Sequence, residues 1–407
     1  MNTRQRPAIL IWIIFIVSSG TVIITLVSAI FPALILGLMN NVKYPMTIDV
    51  FELGISAYSV LITNSILGVV VIFHITKKLP RIFANTIKRI LGFEVSSKVA
   101  LIAIIIILGI YIAFTLGEIF QGESWEDYTR IVKPKLESWS VDEFFHITGN
   151  PLSYFLLTTS MNVFGNYKVI PLISSIALLV AVYFTTSIMS GKRLAGLVSM
   201  TVILSSTIFL TYDTSITYPS FWILFYLLSL LTIHKGWPLS PFFFILAILS
   251  KPMPIFLLPM TLFYIYSSDI SQKKKITIMA SYGIIIAALL VKYFADSSLQ
   301  ISFNPHEFWS GFTAVSSQFR FDGFVLIFVL PLVVGLFALA KKGIKDAQSV
   351  MVLISGMLLL APVISGFTTY TNNPYRFVPL VIFFAMGVGI LFSRRVSQES
   401  AIRSSVL

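Results

Sequence analysis

VALIAIIIILGIYIAFTLGEIFQGESWEDYTR runs from Val99 to Arg130. From Val99 to Gly117 it carries no Asp, Glu, Lys or Arg; from Glu118 to Arg130 it carries four acids. A helix needs about 20 consecutive apolar residues to cross a hydrocarbon core. The stretch therefore reads as a membrane-spanning helix that ends in an acidic, wet loop. That loop continues as far as Phe155.

The same apolar character extends along all 407 residues, of which 57% are hydrophobic and 11% charged, with a mean hydropathy of +0.90. A soluble domain carries about 25% charged residues, so lipid is the solvent for most of this chain. The net charge of +12 follows from the Lys and Arg bias of short cytoplasmic loops, and no nucleic acid is expected as a partner. The absence of Cys excludes disulfides, zinc–thiolate sites and thiol nucleophiles. Arg4 and Arg6 precede an apolar run from Ala8 to about Leu38. That run is longer than the core of a cleaved signal peptide, so a retained membrane helix is expected.

Twelve candidate spans follow, at 8–37, 53–76, 99–118, 168–189, 195–212, 215–233, 238–250, 253–268, 276–295, 324–341, 347–366 and 376–393. The expected fold is an all-α polytopic bundle of about 12 transmembrane helices in a cell membrane. Basic clusters set the orientation. Arg4 and Arg6, the group Lys77, Lys78, Arg81, Lys88 and Arg89, Lys192 with Arg193, Lys235, Lys273 to Lys275, Lys341 with Lys342 and Lys345, and Arg394 with Arg395 all fall on one side if the spans alternate. Both termini are then cytoplasmic. Residues 79–93 read as an interfacial amphipathic helix, basic on one face and apolar on the other. The segment 152–165 is short for a crossing, about 21 Å as a helix, and is expected to be partial or tilted. The chain divides into an N-terminal two-helix segment with the basic interfacial helix (1–98), a transmembrane domain (99–393) and a cytoplasmic tail (394–407).

This parity leaves 119–152, the turn at Asp213, the loop 296–323 and the turn 367–375 on the outer side. Of 17 acids, seven lie between Glu118 and Glu143. A solvated loop collects charge anyway, and that reading suits Glu137, Asp142 and Glu143. Glu123, Glu126 and Asp127 follow within a few residues of a helix end. A carboxylate held against a low-dielectric wall is placed for general-base work, and hard oxygen ligands also suit a divalent cation such as Mg or Mn. No cofactor is otherwise indicated, and no metal ligand set is specific enough to name.

Asp213 is either a solvated turn residue or a second carboxylate at the same site. Lys251 stands on the outer side, against the usual bias; it either snorkels to headgroups or meets an anion. Arg376 is a cation at an outer helix start, and guanidinium matches phosphate oxygens in a fork. Acids and cations on one membrane face suit a lipid-linked phosphate donor, with the loops at 119–152 and 296–323 able to close over it. Asn304, His306, Glu307, Trp309, Arg320 and Asp322 lie in the second of these loops.

Read in order, these residues resemble the GT-C membrane glycosyltransferases, in particular protein O-mannosyltransferases and aminoarabinose–lipid A transferases. Glu126-Asp127-Tyr128 is similar to the family's first-loop acidic pair and its following aromatic. Asn150-Pro151-Leu152-Ser153-Tyr154-Phe155-Leu156-Leu157 through Phe164-Gly165 resembles its Pro-Leu-x-Tyr stretch, with Gly149-Asn150 where a basic residue or His is usual, and His146 nearby. Ser190 to Gly196, Lys251-Pro252 and Arg376-Phe377-Val378-Pro379, preceded by Tyr375, resemble later family steps. Ile216-Thr217-Tyr218 stands where the family has Arg-x-Tyr. The likeness covers roughly 99–393 and implies a GT-C-like bundle with an extracytoplasmic first core loop. By the same implication, the donor is a polyprenyl-phosphate-linked sugar and the reaction an inverting displacement. Asp127, Glu126 or Glu123 is the base, and Arg376 and Lys251 hold the donor phosphate. The acceptor stays open.

Two other classes compete. A transporter or flippase of an anionic lipid-linked compound would explain many spans and the cations, and predicts mid-membrane charges and repeated halves. A non-catalytic membrane scaffold is the third.

Overall fold

Helices break where the sequence supplies caps and prolines. The computed structural model describes residues 6–37, 49–76, 78–140, 150–296, 302–367 and 374–393. Among the described residues the chain is all-helical, with no strand. The N-terminal helices are α1 (Arg6–Ile30), α2 (Pro32–Gly37) and α3 (Ala57–Ile75), followed by the surface helix α4 (Arg81–Gly92). Next come α5 (Ser97–Thr115), α6 (Lys133–Ser138), α7 (Pro151–Phe164), α8 (Val169–Ser190), α9 (Arg193–Leu204) and α10 (Thr207–Tyr212). The C-terminal half holds α11 (Phe221–Lys235), α12 (Leu239–Ser250), α13 (Leu258–Ser267), α14 (Gln272–Asp296), α15 (Pro305–Phe319), α16 (Gly323–Lys341), α17 (Lys345–Phe367) and α18 (Val378–Ile390).

Among the described residues, five helical segments are long and apolar enough to cross a membrane: Ile9–Ile30, Ser97–Phe120, Val169–Ser190, Gly323–Lys341 and Lys345–Phe367. Several shorter apolar helices pack among them. The run 8–37 divides at Phe31, where Pro32 opens α2, because proline lacks the donor a continuing helix needs. The run 195–212 divides at Ser206, whose hydroxyl caps α10 by accepting from Phe209 N at 3.1 Å and donates to the Asp322 carboxylate.

α18 lies at the centre of the bundle, with nearly every side chain buried. Its neighbours approach closely because glycines remove side-chain bulk. A Cβ on Gly389 would stand 2.6 Å from the Ala195 carbonyl, and one on Gly196 would stand 2.5 Å from that of Tyr183. Small residues at helix contacts let backbones meet where lipid supplies no hydrophobic drive.

The bundle has two chemically distinct ends. At one, Lys192 donates to the Leu91 carbonyl at 2.6 Å, Lys345 pairs with Asp269, and Lys341 lies over the Trp12 ring. α4 docks at this end. Its basic residues alternate with Ile82, Phe83, Ile87 and Ile90, all of which remain exposed, the pattern of a helix lying in an interface. The other end carries the residues described below.

Two segments differ from a plain alternation of spans. α7 has contacts from both its ends at one end of the bundle: Ser153 near its start donates to the Ser250 carbonyl at the end of α12 at 2.8 Å. Asn166, just past its C-terminus, donates to the Ile119 carbonyl at 2.9 Å. The segment 296–323, expected as a loop, contains α15. Asn304 caps it by accepting from His306 N at 3.0 Å, Pro305 occupies the first turn, and Phe312, Val315, Ser316 and Phe319 bury one stripe. Helical spacing of those residues outweighs the scattered charges that suggest a loop.

Candidate active site at the acidic end of the bundle

The segment Asp213 to Tyr218 collects the acids that follow α5. Serine, threonine and exposed backbone N–H groups supply donors, and no regular helix uses them between α10 and α11. Glu118 accepts from Thr214 Oγ1 at 3.2 Å. Glu123 accepts from Ser215 Oγ at 3.2 Å and from Ile216 N at 2.7 Å. Asp127 accepts from the Tyr218 hydroxyl at 2.6 Å. Helical spacing separates the neighbouring acid. Glu126 points into solvent, its side chain 77% exposed, and pairs with Arg130 at 2.7 Å. Of the three first-loop candidates, Glu123 and Asp127 therefore face the site and Glu126 does not.

Asp213 is not a solvated turn residue, being only 2% exposed. Its Oδ2 accepts from Tyr111 at 2.8 Å and Thr115 at 3.5 Å, and Ser175 donates to its carbonyl at 2.7 Å. Its Oδ1 has no hydrogen-bond partner. Burial raises the carboxyl to about 7; the Glu118 charge adds to the rise and the Tyr111 and Thr115 bonds oppose it.

Aromatic rings join the acids to the cations. Tyr218 stacks on Tyr375 with centroids 3.9 Å apart and planes at 11°. Trp125 stacks on Tyr212 at 5.1 Å. The Lys251 ammonium lies 3.9 Å from the Tyr375 ring centre, a cation–π contact. Arg376 Nε donates to the Tyr375 hydroxyl at 3.3 Å. Burial, and then the Arg376 charge, lowers the Lys251 ammonium to about 7. Burial, together with the bond to Asp127 and its charge, pushes the Tyr218 phenol well above its ordinary value.

Behind Lys251 a cavity of about 30 Å³ is lined by Asn150, Tyr154, Thr217 and Trp222 among others. Asn150 adopts a left-handed backbone, φ 62°, where it precedes α7. Tyr154 is buried and faces Lys135, whose ammonium is 5.9 Å from its ring centre. Tyr128 packs with Val132, Leu136 and Ile216 in a small cluster under the loop, and burial raises its phenol. His146 lies outside the described residues, as do Asp142 and Glu143.

The site also contains residues that sequence reasoning did not select: Tyr111, Glu118, Trp125 and Tyr212. Glu118 lies one residue past the uncharged run, so its place at a helix end was readable. The aromatics were not, because ring partners here are far apart in sequence. Among the described residues no group of three His, Asp or Glu side chains is close enough to hold a metal ion.

Fold and site together define a class: an all-helical bundle with helices able to span a membrane, and a polar, aromatic cluster at one end. No protein-family model matches the chain, no curated protein matches it, and no solved structure matches it.

Proposed function

We propose that this protein is a membrane glycosyltransferase with a GT-C-like bundle of about 12 crossings. It moves a sugar from a polyprenyl-phosphate donor to an acceptor on the extracytoplasmic face of a cell membrane. The observation that carries this reading is the continuous path Asp127–Tyr218–Tyr375–Lys251, with Arg376 bonded to the same Tyr375. A carboxylate and two cations from three distant segments meet there on one aromatic platform.

In the proposed reaction Asp127 takes the proton of the acceptor hydroxyl. The acceptor oxygen bonds to the anomeric carbon from the face opposite the leaving group. The carbon–oxygen bond to phosphate breaks, and its electron pair leaves with polyprenyl phosphate. Lys251 and Arg376 offset the negative charge gathering on that phosphate. Phosphate is a good leaving group, so no strong acid is needed opposite the base. Tyr218 orients Asp127, while Glu123 and Glu118 hold the 213–218 segment in place.

The test is sugar transfer by the purified protein in lipid nanodiscs, supplied with a panel of polyprenyl-phosphate sugars and assayed for released polyprenyl phosphate. Loss of a positioned general base costs about 10²- to 10⁴-fold, so Asp127→Asn should lose activity on that scale. Glu126→Gln should stay close to the parent rate. Equal rates for Asp127→Asn and the parent would remove Asp127 from the chemistry. Movement of intact donor across a liposome membrane with no bond cleavage would replace the transferase with a transporter.

A further inference from the structure

One cavity is separate from the acidic site. It has a volume of about 420 Å³, within the range of roughly 300–1,000 Å³ typical of small-molecule sites. It lies where the end of α1 and α2 meet the residues before α3 and one face of α15. Ala29, Pro32, Ala33, Leu53 and Ile55 form aliphatic walls. Ser28 and Thr313 also belong to the wall, with their hydroxyl oxygens turned away from the open space.

Two charged residues complete the lining. Glu52 and Arg320 are both exposed, and among the described residues neither belongs to an ion pair. The site therefore offers one negative and one positive group over an aliphatic floor. Leu53 and Ile55, 38% and 93% exposed, extend the apolar wall outward from it. In a chain whose surrounding solvent is lipid, that wall continues into the acyl region.

We infer that this cavity binds a single zwitterionic phospholipid of the phosphoethanolamine type. Arg320 takes the phosphate in a forked contact, and Glu52 takes the ammonium. The first part of an acyl chain fills the space between Ala33 and Ile55. A purely anionic lipid leaves Glu52 facing a phosphate without relief, so the site selects by net headgroup charge. Nothing in this assignment depends on sugar transfer.

The experiment is native mass spectrometry of the delipidated full-length protein, titrated separately with phosphatidylethanolamine, phosphatidylglycerol and free phosphoethanolamine. Phosphatidylethanolamine should bind at one site per chain, several-fold more tightly than phosphatidylglycerol, and free phosphoethanolamine should bind weakly. Arg320→Gln should weaken both lipids by about tenfold or more, the scale of a lost bond to a charged group. Glu52→Gln should erase the preference between them by about three- to fivefold, the scale of an exposed ion pair. Ala33→Phe should fill the cavity and abolish binding while the thermal unfolding midpoint is kept; Ile55→Glu, on an exposed residue, gives an independent variant for the same loss. Equal binding of the two lipids to the parent, or binding untouched by all four substitutions, overturns the site. Free phosphoethanolamine binding as tightly as the lipid overturns the lipid as its occupant.

Discussion

Lys251 is the residue where burial and chemistry meet most directly. Its ammonium is held down at about 7 by burial and by Arg376, against about 10.4 for an unperturbed lysine. The folded protein therefore binds fewer protons at this group than the unfolded chain between those values. The group's contribution to stability is complete above the unfolded value and is lost as pH falls through about 7. A bound phosphate reverses the preference, because it favours the charged ammonium. Binding of polyprenyl phosphate should thus weaken by about tenfold from about pH 6 to about pH 8.5, measured by fluorescence or calorimetry in nanodiscs. Lys251→Met should bind weakly and without that pH dependence; a parent Kd flat across the range would mean the ammonium does not meet the phosphate. Its neighbour Arg376 carries charge throughout the same range, whereas Asp213, at about 7, and the phosphate itself titrate within it, so it is the loss of the slope in Lys251→Met that assigns it to the lysine.

At the scale of elements, the site depends on three pieces of chain that do not behave as simple spans. α7 has contacts from both its ends at one end of the bundle and presents Asn150 and Tyr154 to the cavity behind Lys251. The break between α10 and α11 frees the hydroxyls and backbone donors of 214–218 for carboxylates. The short helical turn Pro374–Phe377 before α18 presents Tyr375 and Arg376. All three are anchored to α18 and its neighbours, so close packing there sets the geometry of the site. Gly389→Leu would push a side chain into Ala195 and Thr186. Overpacking of this kind costs about 1–3 kcal/mol, and the variant should show a lower unfolding midpoint in detergent than a Val388→Leu control. An unchanged midpoint would show that α9 and α18 do not need their close approach.

For the whole molecule, the two ends differ in charge chemistry, and the difference gives a direct test of orientation. The chain has no Cys, so a single introduced cysteine reports its own position. Glu126 at the acidic end and Lys274 at the basic end are both exposed. Glu126→Cys should react with a membrane-impermeant maleimide on intact cells, whereas Lys274→Cys should react only after permeabilisation. The opposite pattern would put the acidic site inside and remove the extracytoplasmic reaction.

By itself, the sequence determined the solvent, the helical class and the grouping of charges toward two ends. Each of these follows from local composition: an uncharged run such as Val99 to Gly117 has one stable form in lipid, a helix that satisfies its own backbone. The positions of most helices follow from the same runs. Only the tertiary structure decided which acid faces the site, because Glu126 and Asp127 are adjacent in sequence and a turn of backbone sends one to solvent and the other to Tyr218. It also buried Asp213 against Tyr111, a partner 102 residues away, and set Lys251 on Tyr375. Contacts of that range leave no period in the chain, since they arise from helix packing at a shared end and not from spacing along any one helix.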